Sequence, residues 1–222
     1  MLMISPDTFK FLADLAKHNQ REWFQEHKDR YEKAHENIIA FAGDLIDELS
    51  KVGIGVDASL DPKKCVMRIY RDVRFSKDKT PYKTNMAIGR LTKNKVGEIG
   101  YYLQIEPGNK SFLAGGYWMP QGDHLKAIRQ EIDYNAADLI RIIDAADFKK
   151  TFVDFRAQES LRTVPKGYDA ENENIDLLKL KSFIAYRDLT DKELSEKDAV
   201  NMVAKLCVKL HPLNMFLANT IQ

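Results

Sequence analysis

Cysteine is scarce in this 222-residue chain, and its two copies, Cys65 and Cys207, stand far apart with no CxxC spacing. That excludes a zinc ribbon, a dithiol redox motif and a disulfide scaffold, and predicts two buried thiols. Long apolar runs are lacking too: none approaches the roughly 18 residues that span a bilayer. The opening Met-Leu-Met-Ile-Ser-Pro-Asp has neither the basic segment nor the apolar stretch of a signal peptide, so a cytoplasmic protein with no membrane partner is expected. Charge of one sign is not in excess, since 34 Lys+Arg face 33 Asp+Glu for a net charge of +1. No Walker loop and no Gly-x-Ser-x-Gly elbow occurs, which removes the usual phosphate cradle and the usual esterase nucleophile. Gly53-Ile54-Gly55-Val56-Asp57-Ala58 has the letters of a dinucleotide fingerprint but follows a helical pattern instead of a strand, so it reads as a turn. His35-Glu36 opens like a zincin motif, yet Ile39 occupies the position of the second histidine. His27, Tyr31 and His35 share a helix face with apolar residues and read as packed side chains. No metal and no cofactor is expected.

What is present is enough apolar sequence, 44% of residues, to build a core without crosslinks. One domain over 1–222 is expected, with a helical subregion from about 120. Ser5-Pro6 caps a short helix ending near His18, and Asn19 with Glu22 resembles a capping box for one long amphipathic helix over about 20–50. Gly53, Gly55 and Pro62 mark a loop. From Cys65 the period shortens to two, and strand patterns over about 65–74, 84–90, 99–106 and 110–118 are joined by short turns at Lys93–Gly97 and Pro107-Gly108-Asn109. Helical spacing returns around Leu125, around Leu139 after Asn135, and around Phe148. A short helix over 174–181 and a strand at 183–186 follow, then a last helix capped by Ser195 and Asp198 and interrupted by Pro212. The fold class expected is α+β: a mainly antiparallel sheet, about 64–118, packed against a long N-terminal helix and C-terminal helices.

The near-neutral total conceals a concentration of charge. Residues 61–95 hold eleven Lys/Arg against three Asp, a net of +8 that leaves −7 for the rest of the chain. A lysine-guarded sheet edge and an anion site both fit this pattern. In a strand continued to residue 74, Arg68, Tyr70, Asp72 and Arg74 project to one face, while Met67, Ile69 and Val73 project to the other. Forked guanidinium donors on such a face can grip a phosphate or carboxylate. Arg71, Lys77, Lys79 and Lys83 add positive charge and Tyr82 an aromatic surface. Asp72 is placed to orient the arginines or to act as a base. Tyr102, alternating with Leu103, extends the polar face from a neighbouring strand, and Arg129 on the following helix is a candidate to close the cleft. Gly115-Gly116 marks a bulge or a close approach of backbone or ligand.

Trp23-Phe24 with Tyr31, the block Arg68-Ile69-Tyr70-Arg71-Asp72-Val73-Arg74-Phe75-Ser76-Lys77-Asp78-Lys79-Thr80-Pro81-Tyr82-Lys83, Gly115-Gly116-Tyr117 followed by Pro120, Arg129, and Pro165-Lys166-Gly167-Tyr168 together resemble the family catalogued as domain of unknown function 2461. The resemblance covers nearly the whole chain and implies membership, but brings no activity, substrate or catalytic residue with it. Three function classes stay open on the residues themselves. The first is a binding or regulatory protein holding a small anion on 68–83. The second is a hydrolase or transferase acting on a phosphate-containing substrate, with Asp72 or Asp78 as base. The third is a nucleic-acid-binding protein in which basic residues interleave with Tyr70, Phe75 and Tyr82.

Overall fold

A computed structural model describes residues 3–92, 99–157 and 160–221; the connection expected at Lys93–Gly97 lies outside them. The fold is α+β, with one four-stranded antiparallel sheet in the order β1-β2-β3-β4. Its strands are β1 (Met86–Ile88), β2 (Ile99–Ile105), β3 (Ser111–Tyr117) and β4 (Phe183–Leu189). The chain divides into two compact units. The first comprises Met1–Lys93, Tyr102–Leu113 and Asp188–Leu206, and the second Asn94–Tyr101, Ala114–Arg187 and Cys207–Gln222. Among the described residues no helix is long and apolar enough to cross a membrane.

In the first unit, α1 (Pro6–Lys17) begins as expected, the Ser5 hydroxyl accepting the Asp7 N–H. The helix expected over 20–50 is two helices, α2 (Arg21–Glu26) and α3 (Lys28–Lys51). The break falls at His27, whose backbone leaves the helical region (φ −115°, ψ 24°) and whose ring Nδ1 lies 2.9 Å from the Trp23 carbonyl. The apolar stripe runs through the break because Phe24 and the α3 residues Ile38, Phe41, Leu45 and Leu49 still reach one core with Phe11, Leu12 and Leu15 of α1. Periodicity alone therefore could not show the interruption. Asn37 of α3 ties down the start of α1, its carbonyl oxygen accepting from the Ser5 N–H (2.8 Å) and from the buried Thr8 hydroxyl (2.9 Å).

The capping box expected from Asn19 and Glu22 does not form. Gln20 is the residue before α2, and it makes no side-chain cap. The Asn19 amide instead grips the backbone of Tyr82, donating to its carbonyl at 2.9 Å and accepting from its N–H at 3.1 Å. The long-range partner satisfies both halves of the amide, where a cap would use only one. A one-turn helix, α4 (Pro62–Cys65), follows the expected loop. The strand expected over 65–74 is an extended segment held by two isolated bridges, Val66–Ile88 and Tyr70–Tyr82. From Val66 to Tyr70 the chain advances four residues, whereas from Tyr82 to Ile88 it advances six. Two surplus residues leave the ladder, and the chain bends at Thr84 and Asn85.

The hairpin turn between β2 and β3 is as expected, with Gly108 and Asn109 both at positive φ (84° and 59°). In the second unit, α5 (Gly122–Asp144) is interrupted at Asn135 (φ −149°, ψ 64°), the residue expected as a cap, and α6 (Ala146–Thr151) and α7 (Ile175–Leu178) follow. Gly116 (φ 122°) has the Phe183 carbonyl where a side chain would stand and so serves a close approach of backbone, whereas Gly115 lies against the Leu210 side chain. The capping box near the C-terminus belongs to Thr190 and Glu193 at α8 (Asp191–Leu194), and Ser195, expected to open the last helix, closes α8. The last helix, α9 (Ala199–Thr220), continues through Pro212. Cys65 and Cys207 are buried free thiols.

The Asn19 bridge makes a specific prediction. Asn19→Ala removes two part-buried hydrogen bonds and should cost about 1–3 kcal/mol in denaturant unfolding. Asn19→Ser and Asn19→Asp, which would restore a helix cap, should not recover it. Full recovery by serine would assign Asn19 a capping role instead.

Candidate functional site

The basic segment forms two distinct environments. The first is built by α4 and the offset pair. The Asp61 carboxylate accepts the Lys63 N–H at 3.0 Å and starts the turn that presents Lys63 and Lys64. In the extended segment beyond it, Ile69 is buried and Arg68 exposed, the alternation expected of a strand even though no continuous ladder forms. The return chain is pinned by the Lys83 N–H donating to the Ile69 carbonyl at 2.8 Å. Arg90 has a left-handed backbone (φ 57°), and its carbonyl accepts from the Cys65 thiol at 3.7 Å. Lys63, Lys64, Arg68, Lys83 and Arg90 thereby line one cleft of about 640 Å³, in which Asp61 is the one acidic residue among the described lining residues. Leu60, Val66 and Met67 give the cleft an apolar portion.

Among the described residues none of these five cations has a carboxylate within ion-pair distance. Lys83 is the half-buried one. Burial pushes its ammonium below the ordinary lysine value, and the Arg68 charge pushes it in the same direction. On α3, burial pushes His35 down as well; Glu36 opposes this and the Lys63 charge adds to it. The ring of His35 stacks on Tyr31 at 5.5 Å. The ring of His27 stacks on Trp23 at 4.2 Å.

The second environment is the loop over 71–80, where Arg71, Arg74 and Lys79 are occupied by the loop itself. Arg71 donates to the Asp78 carboxylate at 2.5 Å, to the Thr80 carbonyl at 3.3 Å and to the Thr80 hydroxyl. Asp78 also accepts the Thr80 N–H at 3.0 Å. Arg74 grips Asp72 with two donors, at 3.0 and 2.7 Å, and Lys79 donates to the Val73 carbonyl at 2.9 Å. The Arg74 pairing holds the Asp72 carboxyl below the usual carboxylate range, the reverse of what a base working near neutrality needs, and fits the orienting role. Phe75 at the loop tip is 95% exposed, with the Arg74 guanidinium 5.9 Å from its ring centre. Lys77 is exposed on the same loop and does not line the cleft.

The remaining sequence-based candidates divide as well. Tyr82 is 3% exposed and stacks on Phe24 at 4.0 Å, so its ring belongs to the core. Tyr70 is half exposed and lines a smaller cleft of about 280 Å³ with Arg21, Gln25, Arg71 and Pro81. Tyr102 lies on the half-buried face of β2, where its hydroxyl donates to Gln104 at 3.3 Å and Gln104 donates to Glu106 at 2.8 Å. Arg129 belongs to the second unit, and its guanidinium is occupied by the Leu178 and Leu180 carbonyls at 2.7 and 3.2 Å. Of the ten ligand candidates, Arg68 and Lys83 stand together in the larger cleft. Lys63, Lys64 and Arg90 complete it. These three were visible only as members of a basic run, because the register that assembles them and the left-handed Arg90 backbone leave no periodic signal.

The loop strap can be read by titration. Hydrogen bonds from the Thr80 N–H, from Arg71 and from the Thr80 hydroxyl hold the Asp78 carboxyl at about 2, against an ordinary value of 3.8. The folded value is the lower one, so the strap's contribution is complete above the ordinary carboxylate value and lost as pH falls through about 2. Carboxyl-carbon NMR should place the Asp78 midpoint near 2 in the wild type and higher, but still below 3.8, in Arg71→Gln/Thr80→Ala, which loses the two side-chain donors and keeps the backbone N–H of residue 80. A wild-type midpoint at the ordinary value would show that the strap does not persist in solution.

No curated protein and no solved structure matches the chain. A family profile described as a conserved hypothetical protein matches residues 7–216, in keeping with the resemblance of the Arg68–Lys83 block and the motifs around it. The chain belongs to that family, domain of unknown function 2461.

Proposed function

We propose that this protein binds a small organic anion, its phosphate or carboxylate group seated among Arg68, Lys83, Arg90, Lys63 and Lys64. One observation carries the reading: five cations share a cleft in which, among the described residues, one acidic residue stands, and it already accepts a backbone N–H. Removing a charge from water costs free energy unless a partner compensates, and Lys83 is half-buried beside a like charge. An arriving anion supplies that partner through charge-assisted hydrogen bonds, two of them from a guanidinium fork where geometry allows. The volume, about 640 Å³, falls in the range of small-molecule sites. Leu60, Val66 and Met67 offer apolar contact to the rest of the ligand. The loop cations are poorer seats, because an anion there would have to displace Asp72 or Asp78 from contacts of 2.5–3.0 Å.

Titration of inorganic phosphate, followed by amide chemical shifts and calorimetry, tests the assignment. Arg68→Gln and Lys83→Gln each remove a charged hydrogen bond worth about 1.5–3 kcal/mol and should weaken binding roughly ten- to hundredfold. Arg74→Gln, in the strapped loop, should change it by less than about threefold, the scale of a surface ion pair. Absence of phosphate binding, or equal losses for Arg68→Gln and Arg74→Gln, would overturn the reading.

A further inference from the structure

The cleft's own chemistry narrows the class of ligand. General acid–base catalysis needs a carboxylate or an imidazole at the site; among the described lining residues Asp61, whose Oδ1 accepts the Lys63 N–H, is the one carboxylate and there is no histidine. Cys65 is an unsuitable nucleophile: its thiol is buried, donates to the Arg90 carbonyl, and is pushed up in pKa chiefly by burial. Lysine amines remain. Lys63 and Lys64 are exposed on α4, where water stabilises their ammonium forms. Lys83 differs in three structural respects. Its backbone is fixed by the bond to Ile69, its side chain is half-buried, and Arg68 stands beside it with no carboxylate intervening among the described residues. Desolvation beside another cation is the arrangement that leaves a lysine with its lone pair available.

We propose that Lys83 is a nucleophilic amine that condenses reversibly with the carbonyl carbon of a phosphorylated aldehyde or ketone, whose phosphate is held by Arg68, Arg90, Lys63 and Lys64. This rests on the anion-binding reading and adds a covalent step to it. The nitrogen lone pair forms the C–N bond as the carbonyl π pair moves to oxygen, and a proton passing from nitrogen to that oxygen gives a carbinolamine. The C–O bond then breaks, the hydroxyl leaves as water with one proton from solvent, and the nitrogen lone pair completes C=N. Counted from the ammonium, one ammonium and one carbonyl give one iminium and one water, with no oxidant or reductant consumed. Burial and the Arg68 charge oppose the Lys83 ammonium, so Lys83 pairs with a simple oxyanion as an ammonium and reacts with a carbonyl through its deprotonated fraction. The lowered pKa of Lys83 is consistent with this and has the same physical origin.

Reductive trapping separates the covalent step from simple binding. The wild-type protein is incubated with glyceraldehyde 3-phosphate and sodium cyanoborohydride, and the modified lysines are located by peptide mass spectrometry. Unphosphorylated glyceraldehyde serves as the control, and inorganic phosphate as competitor. The expected result is an adduct at Lys83 at least about tenfold more abundant than at Lys63 or Lys64. It should depend on the phosphate of the probe, be suppressed by inorganic phosphate, and disappear in Lys83→Arg. If phosphate binds to the cleft while labelling is spread evenly over the lysines, or is indifferent to the probe's phosphate, the imine inference is overturned and the anion site stands. If phosphate does not bind at all, both fall together.

Discussion

Between the Val66–Ile88 and Tyr70–Tyr82 bridges one chain has two more residues than the other, and this mismatch determines what the basic segment becomes. In a regular antiparallel ladder every backbone group would find its opposite and alternate side chains would sort cleanly to two faces. Here the bonds from Lys83 to Ile69 and from Met67 to Ala87 fix the two ends, and the chain between them bends away at Thr84 and Asn85. Lys83 is consequently set beside Arg68 without a carboxylate to separate them. The backbone hydrogen bonds and the core beneath, where Tyr82 stacks on Phe24 and Asn19 holds the Tyr82 backbone, oppose the repulsion among the cations. Lys83 bears the cost, burial and the Arg68 charge both opposing its ammonium, and the proposed anion would relieve it.

A few residues along the chain decide which cations are available. Asp72 and Asp78 lie within the loop, and each closes on an arginine two or seven residues away. The loop's two guanidinium groups thereby hold its shape and are committed to carboxylates. Asp61, beside the cleft, uses its carboxylate to start α4 and leaves Lys63 and Lys64 without an ion-pair partner among the described residues. Local acidic residues therefore separate a self-satisfied loop from an unsatisfied cleft within a segment that looks uniformly basic as a string of letters.

Much of the architecture was legible because the periods are strong. The α1 cap at Ser5, the β2–β3 hairpin turning at Gly108-Asn109, the interruption at Asn135 and the close approach at Gly116 all follow from local residue chemistry. The misreadings share a cause. Asn19, Ser195 and His27 are residues with competing hydrogen-bonding options: the distant Tyr82 backbone takes Asn19, the preceding α8 takes Ser195, and the Trp23 carbonyl one turn back takes the His27 ring. For the site, Arg68 and Lys83 were legible as cations on an extended segment. Arg71, Arg74 and Lys79 could not be set apart from them, because hydrogen bonding within a loop leaves no periodic trace. Lys63, Lys64 and Arg90 needed the register.

The central claim is that an anion seats where cations lack carboxylate partners, not where cations are merely numerous. The most direct measurement is a crystal soaked in tungstate, a tetrahedral oxyanion located by its anomalous scattering. The account predicts an anomalous peak within hydrogen-bond distance of both the Arg68 guanidinium and the Lys83 ammonium, with the Arg71–Asp78 and Arg74–Asp72 pairs intact. A peak on the loop at Arg71 or Arg74, with none beside Lys83, would contradict it.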